Sequence, residues 1–349
     1  MAYTTIDDPS AHFQTTLYTG NGTDNHAITN GGNSDLATDL VWIKYRTAGV
    51  SHVLYDSSRG ATKRLYPDFD GQEATQTAGV KSFDSDGFTL GTAGASNANN
   101  IPFVSWNWHA NAGTKTTNTD GDINSTVQVN SDAGFSIVQY SPSNNTARSI
   151  GHGLGTTPQV VLTRALNRTE NWRMFHSGAG STGSLTLDTD AAYNSSTVLH
   201  TGVTSTTFGV GTDFSVNGAY NYVSWVFANK KGFSKHGKYT GNGSSDGVFV
   251  HTGFKPAFVM YKSTESGDGW FMFDAARNPT NVSTNQTLRA DTSSAEGASK
   301  VIDFFSNGFK LMNSDSAHNG SGVSYIYMSF ASNPFVTSNT GGSIPTTAF

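Results

Sequence analysis

The sequence predicts an all-β protein, built as three tandem antiparallel β-sandwich repeats of jelly-roll or concanavalin-like type. Three observations predict it. An aromatic ending occurs three times, as Phe103-Val104-Ser105-Trp106-Asn107-Trp108, Tyr222-Val223-Ser224-Trp225-Val226-Phe227 and Tyr325-Ile326-Tyr327-Met328-Ser329-Phe330. An apolar block recurs upstream of each, closing on Lys44, Arg164 and Lys262. The composition is poor in charge (13%) and rich in glycine (38 residues), as short strands joined by tight turns require. Self-similarity at a long period marks a repeat architecture.

Each copy opens on an aromatic strand: Phe13 to Tyr18, Phe135 to Tyr140 and Phe233 to Tyr239. In copies one and three it runs into the same turn, Thr19-Gly20-Asn21-Gly22 and Thr240-Gly241-Asn242-Gly243. The apolar block follows, and a second apolar run ends 12 residues after its basic residue, at Asp56, His176 and Asp274. A fixed interval between two apolar runs predicts a hairpin-like pair of strands with a short polar connection. Asp86-Gly87-Phe88 and Asn307-Gly308-Phe309 mark a further turn and strand, degenerate in copy two as Thr207-Phe208-Gly209. The aromatic block ends each copy. Its alternation places Val104, Trp106 and Trp108 on one face, with Val223, Trp225 and Phe227, and Ile326, Met328 and Phe330, as counterparts. That apolar parity predicts the core face of each sandwich.

The expected organisation is an arm over residues 1–12, repeats over 13–111, 134–230 and 231–335, and a tail over 336–349. Residues 112–133 form a linker in which Ile123 to Val129 alternates and predicts one edge strand. Ala290 to Val301 is the one stretch with any helical character, weakened by Gly297 and its serines. Without cysteine, neither disulfides nor thiolate metal sites are expected. The N-terminal residues lack the basic and apolar regions of a secretory signal, and no apolar run reaches the ~20 residues of a membrane helix. A net charge of −5 without a basic cluster argues against a nucleic-acid partner.

Few residues suggest chemistry. Gly243-Ser244-Ser245-Asp246-Gly247 fits the nucleophile-elbow pattern, but it follows a β turn and reads as a turn. Asp84 with Asp86, Asp120 with Asp122, and Asp188 with Asp190 are the carboxylate pairs a glycosidase would draw on, and they equally suit solvated turns. Asp120 and Asp122 form a weak calcium candidate, lacking the downstream bidentate Glu of an EF-hand loop. His152, between two glycines, reads as a loop residue. His52, Trp172 and Trp270 share one aligned position, where an aromatic ring either stacks on a sugar or packs in the core. No catalytic residue and no cofactor is expected.

As a set, Asp39-Leu40-Val41-Trp42-Ile43-Lys44, Asp56-Ser57-Ser58-Arg59-Gly60-Ala61-Thr62-Lys63, Ser85-Asp86-Gly87-Phe88-Thr89-Leu90, Gly151-His152-Gly153-Leu154-Gly155 and Tyr325 through Phe335 resemble the repeat proteins of marine tailed phages, found as tail-fibre and other virion-surface proteins. The resemblance runs from about Phe13 to Phe335. It implies lectin-like β-sandwich repeats in a non-enzymatic virion component, in the tail, a fibre or a capsid decoration. It also implies a homo-oligomer, with other virion proteins as partners and with synthesis in the host cytoplasm rather than secretion. The long fibres of that family carry an N-terminal anchor and a repetitive shaft; without either, a compact surface subunit is the expectation. The competing expectations are an adhesin for host surface glycans and, behind it, a polysaccharide depolymerase.

Overall fold

A computed structural model describes residues 4–265, 267–281 and 283–335. The tail expected over 336–349 lies outside the described residues. The first unit contains β1 (Phe13–Thr19), β2 (His26–Ile28), β3 (Leu40–Tyr45), β4 (Val53–Asp56), β5 (Lys63–Arg64), β6 (Ala74–Thr75), β7 (Val80–Asp84), β8 (Gly87–Leu90), the single helical turn α1 (Gly94–Asn97) and β9 (Pro102–Trp108). The linker supplies β10 (Thr116–Asn118) and β11 (Ser125–Asn130), so the alternation from Ile123 to Val129 does form a strand. The second unit contains β12 (Phe135–Tyr140), β13 (Arg148–Gly151), β14 (Val160–Ala165), β15 (Arg173–His176), β16 (Leu185–Thr186), β17 (His200–Val203), β18 (Thr207–Val210) and β19 (Tyr222–Phe227). The third contains β20 (Ser234–Thr240), β21 (Phe249–His251), β22 (Phe254–Ser263), β23 (Phe271–Asp274), β24 (Asn285–Arg289), β25 (Gly297–Ser299), β26 (Ile302–Phe305), β27 (Gly308–Leu311), the helical turn α2 (Ser316–Asn319) and β28 (Ser324–Pro334). The stretch with weak helical character, Ala290 to Val301, holds no helix; it contributes β25, which pairs with β24.

Strand order repeats from unit to unit. The larger sheets run β1-β9-β3-β4, β12-β19-β14-β15 and β20-β28-β22-β23, all antiparallel. The smaller ones run β2-β8-β7, β13-β18-β17 and β21-β27-β26. Each expected hairpin is present, as β3–β4, β14–β15 and β22–β23. The second unit carries an extension: β11 and β10 continue its sheet beyond β12.

Both faces of each larger sheet are buried. One face packs on the unit's own three-stranded sheet: Val41, Ile43 and Phe103 meet Ile28, Phe88 and Leu90, and the other units repeat this with Phe208 and Phe309. The opposite faces of all three larger sheets meet in one shared cluster. Trp106, Trp108, Trp225, Phe227, Met328 and Phe330 lie there. The expected core parity is therefore buried, but it faces the other units and not the interior of its own sandwich. Alternation identifies two faces; when both are covered it does not say which one meets which neighbour.

The approximate threefold axis is marked by the three strand-end rings. Ring centroids of Trp108 and Phe227 are 6.3 Å apart, those of Trp108 and Phe330 5.7 Å, and those of Phe227 and Phe330 5.7 Å. Burial of large apolar side chains at ~1.5–3 kcal/mol each makes this common cluster the main force joining the units. The arm is part of it: Ile6 joins the shared cluster, and the Thr4 hydroxyl donates to the Lys231 carbonyl at 2.7 Å.

Candidate functional site

The basic residues of the apolar blocks and the aromatic candidates His52, Trp172 and Trp270 gather along the three seams where units meet. The basic residue ending each apolar block is fully buried and reaches across a seam. Lys44 Nζ donates to Val50 O at 2.7 Å within its own unit and to Ser293 O of the third at 2.9 Å. Lys262 Nζ donates to Asp190 O of the second unit at 2.9 Å and to Asp268 O. Arg164 donates to Gly71 O of the first unit and to Glu170 O. Burial pulls both lysines down to about 8. These cations cap carbonyl oxygens that would otherwise be stranded at the seams.

A second set alternates with them. Trp225 Nε1 donates to Asp56 Oδ2 at 3.2 Å across the first–second seam, and Trp106 Nε1 donates to Asp274 Oδ2 at 3.1 Å across the first–third seam. Each carboxylate also holds the arginine three residues on, Arg59 at 2.6 Å and Arg277 at 2.7 Å, with every side chain at most 1% exposed. At the second–third seam all three positions change together. Met328 replaces the tryptophan, His176 the aspartate and Ala179 the arginine. His176 Nδ1 accepts from Gly178 N at 3.0 Å, which leaves Nε2–H to donate to Tyr327 O at 3.1 Å. Burial brings its pKa down to about 4, so the ring is neutral there.

The three aromatic candidates fall on equivalent seam positions and are each 0% exposed. Trp172 Nε1 donates to Tyr66 O of the first unit at 2.7 Å, and Trp270 Nε1 to Thr186 O of the second at 2.8 Å. His52 Nδ1 accepts from Trp42 Nε1 at 2.8 Å, and burial holds its pKa well below the usual range. The sugar-stacking reading of His52, Trp172 and Trp270 is thereby corrected: none of them presents a face to solvent.

The acidic candidates do not converge on a centre. Asp120 belongs to a turn with Asn118, while Asp122 accepts from Ser149 N and Oγ, both at 2.8 Å. Among the described residues no three His, Cys, Asp or Glu side chains group as a metal site. Asp84 is held by Ser82 and Thr89, Asp86 by Leu36 N, and buried Asp188 by Asn171 and Trp172 N. Ser244 and Asp246 sit in an exposed turn, where Ser244 Oγ accepts from Asp246 N at 3.1 Å. His152 lies in the loop after β13, as expected, and is buried there: its Nδ1 accepts from Leu154 N at 3.1 Å.

Sequence reading missed Asp39, the most heavily bonded carboxylate. It accepts four consecutive backbone N–H groups, Ala110 through Gly113, at 2.7–2.9 Å, together with Ser57 Oγ and Gln128 Nε2. Burial pushes its pKa up, but His109, Ser57 and the Ala110 N–H outweigh that and bring it to about 2. Its counterparts are Gln159 and Ala257. Gln128 sits on β11 and also donates to Ser57 Oγ at 2.9 Å and accepts from Ser58 Oγ at 2.8 Å. The strand added to the second unit is thus bolted to the first.

Two surface hollows border these seams. A groove of about 610 Å³ lies on the first–third seam, between β1 and Ala257, Ala275 and Ala276. A smaller polar hollow of about 420 Å³ lies on the first–second seam, where Arg59 and Glu73 face Asn124, Thr126, Gln139 and Asn221.

The family described as a domain of unknown function, DUF7483, matches residues 8–334, and the chain belongs to that family. A search of curated proteins gives no match. The match spans all three units, in keeping with a shared core that makes them one structural entity.

Proposed function

We propose that the chain is a non-enzymatic structural component of a tailed-phage virion surface, in tail, fibre or capsid decoration, that holds to neighbouring virion proteins. In this reading the three sandwiches are lectin-like repeats of jelly-roll or concanavalin type, and the subunit works as a homo-oligomer. The observation that carries it is the use of the buried polar groups. The cations, the Trp–Asp–Arg sets and the Gln128–Asp39 bond are spent on locking three units into one body. A scaffold of that kind offers surface and stiffness, and weak contacts repeated over many copies suffice to hold it in an assembly. The resemblance to phage repeat proteins supplies the setting. The test is a census of purified virions by quantitative mass spectrometry. Many copies per particle are expected, with no loss of glycan polymer on incubation with the pure protein; presence only in infected cells would overturn the reading.

A second reading, a glycan-binding adhesin, is favoured by the polar hollow on the first–second seam. Amide and hydroxyl side chains of Asn124, Thr126 and Gln139 converge there without charge of one sign, as recognition of a hydroxyl-rich ligand requires. Glycan-array binding that is lost in Gln139→Ala with Asn124→Ala would favour this reading; retention of binding would sink it.

A further inference from the structure

The larger sheets each end in an edge strand, and the three edges are treated differently. An exposed row of backbone N–H and C=O groups is a template for another strand, and natural proteins cover or blunt it. In the second unit β11 covers β12 along its whole length. In the third, the outward groups at the start of β20 are taken locally: Ser234 exchanges backbone bonds with Lys230, and His236 N donates to Asn229 Oδ1 at 2.6 Å. In the first, β1 ends its sheet, with no strand beyond it among the described residues.

Register fixes which groups are bare. The bonds His109 N to His12 O and Gly20 N to Ile101 O turn the even residues of β1 toward β9. Phe13, Thr15 and Leu17 therefore aim their backbone N–H and C=O outward. Their counterparts in the second unit are Phe135, Ile137 and Gln139, the residues that bond β11. Thr15 also carries a buried hydroxyl without a partner among the described residues, and Leu17 is 41% exposed.

The groove beside β1 is the space that β11 fills at the first–second seam. There Gln128 bonds Asp39, Ser57 and Ser58. At the first–third seam those positions are Ala257, Ala275 and Ala276, and they wall the groove. The removal of the polar anchors leaves a channel of uncharged residues, with small side chains on the third unit's wall at Ala257, Ala275 and Ala276.

We propose that β1 is the docking edge for an extended strand of a partner protein, added antiparallel to it in the first–third groove as β11 is added to β12. The occupant is an uncharged strand of small or β-branched residues alternating with amides or hydroxyls, in the manner of Val127-Gln128-Val129. Backbone pairing supplies the attraction, and the narrow alanine wall restricts the inward side chains. This rests on the assembly reading and names its contact; its test requires no virion, so its failure leaves the virion census standing.

The probe is a synthetic peptide of residues 123–130, titrated against the full chain and against the chain ending at residue 335, with amide hydrogen exchange as readout. Exchange at Thr15 and Leu17 is expected to be fast without peptide and to slow by ~10-fold or more with it, in both chains. Thr15→Pro removes one outward donor while sparing the β9 ladder, and Ala276→Leu fills the groove from the other wall; both are expected to abolish the protection at Leu17. No protection at millimolar peptide would overturn the proposal. Protection without peptide that vanishes in the shortened chain would assign the edge to the chain's own tail. Protection that rises with protein concentration alone would assign it to a second copy. Either result overturns the partner strand.

Discussion

The first–second and second–third seams solve one problem with opposite chemistry. The first–second seam buries a charged set, Asp56 with Arg59 and the Trp225 indole N–H. The second–third seam buries a neutral one, His176 between Gly178 N and Tyr327 O, beside Met328 and Ala179. A buried carboxylate is tolerated only when every partner is present, so losing one partner favours losing them all. The comparison teaches that these positions are a unit of three, split between two structural units of the fold, and that either version is stable only when complete.

The largest effect that sharpens this contrast is expected from Trp225→Ala. It opens a cavity in the shared cluster and takes one of its two donors from Asp56 Oδ2, leaving Arg59 Nε, so it should cost about 4–5 kcal/mol in denaturant unfolding. Met328→Ala, which strands nothing, should cost about 2–3 kcal/mol. Equal losses would show that the Trp–Asp bond adds nothing to packing.

Single exchange at the neutral seam comes next. His176→Asp places a carboxylate where neither the arginine nor the indole exists, and about 3–4 kcal/mol of stability should go. Adding Ala179→Arg and Met328→Trp should return about 2 kcal/mol or more, a coupling that additive substitutions would not produce.

Titration separates the same seams. His176 is held at about 4 in the fold against an ordinary 6.5. The unfolded chain therefore binds the extra proton between those values. His176 contributes stability that is complete above pH 6.5 and lost as pH falls toward 4. Its share is on the order of 3 kcal/mol, and His176→Gln should flatten the pH dependence of unfolding by part of that. Asp39 acts lower: its stabilisation, about 2 kcal/mol, is present above pH 4 and disappears as pH falls through about 2. An unfolding free energy flat from pH 7 to 4 would contradict the buried neutral histidine.

The smallest expected effect compares the filled and open seams. Gln128→Ala removes the bonds from β11 to Asp39, Ser57 and Ser58 and should cost about 1–2 kcal/mol. Ala276→Ser, on the open groove, should stay within about 0.5 kcal/mol.

Much of this fold was legible in the sequence. The aligned aromatic endings gave the last strand of each larger sheet, the constant interval from Lys44 to Asp56 gave the hairpins, and the alternation after Ile123 gave β11. The destination of each face was not legible, because Trp106 and Phe103 lie on opposite faces that are both buried, one between units and one within. The aromatic candidates misled for a related reason: the partners of Trp172 and Trp270 are backbone carbonyls of another unit, which no local pattern reveals. One signal was present and unread. Asp56 with Arg59 and Asp274 with Arg277 align with His176 and Ala179, while Trp106 and Trp225 align with Met328. Substitutions that travel together between copies are what a shared contact leaves behind.

The central claim is that three units fold as one body around a common cluster. Native-state hydrogen exchange under increasing denaturant tests it most directly, read at the amides of Trp106, Trp225 and Met328, one in each unit. The account predicts that all three exchange only through the same global opening, with one free energy and one denaturant slope. Three separate free energies, with one unit opening while the others stay protected, would contradict it.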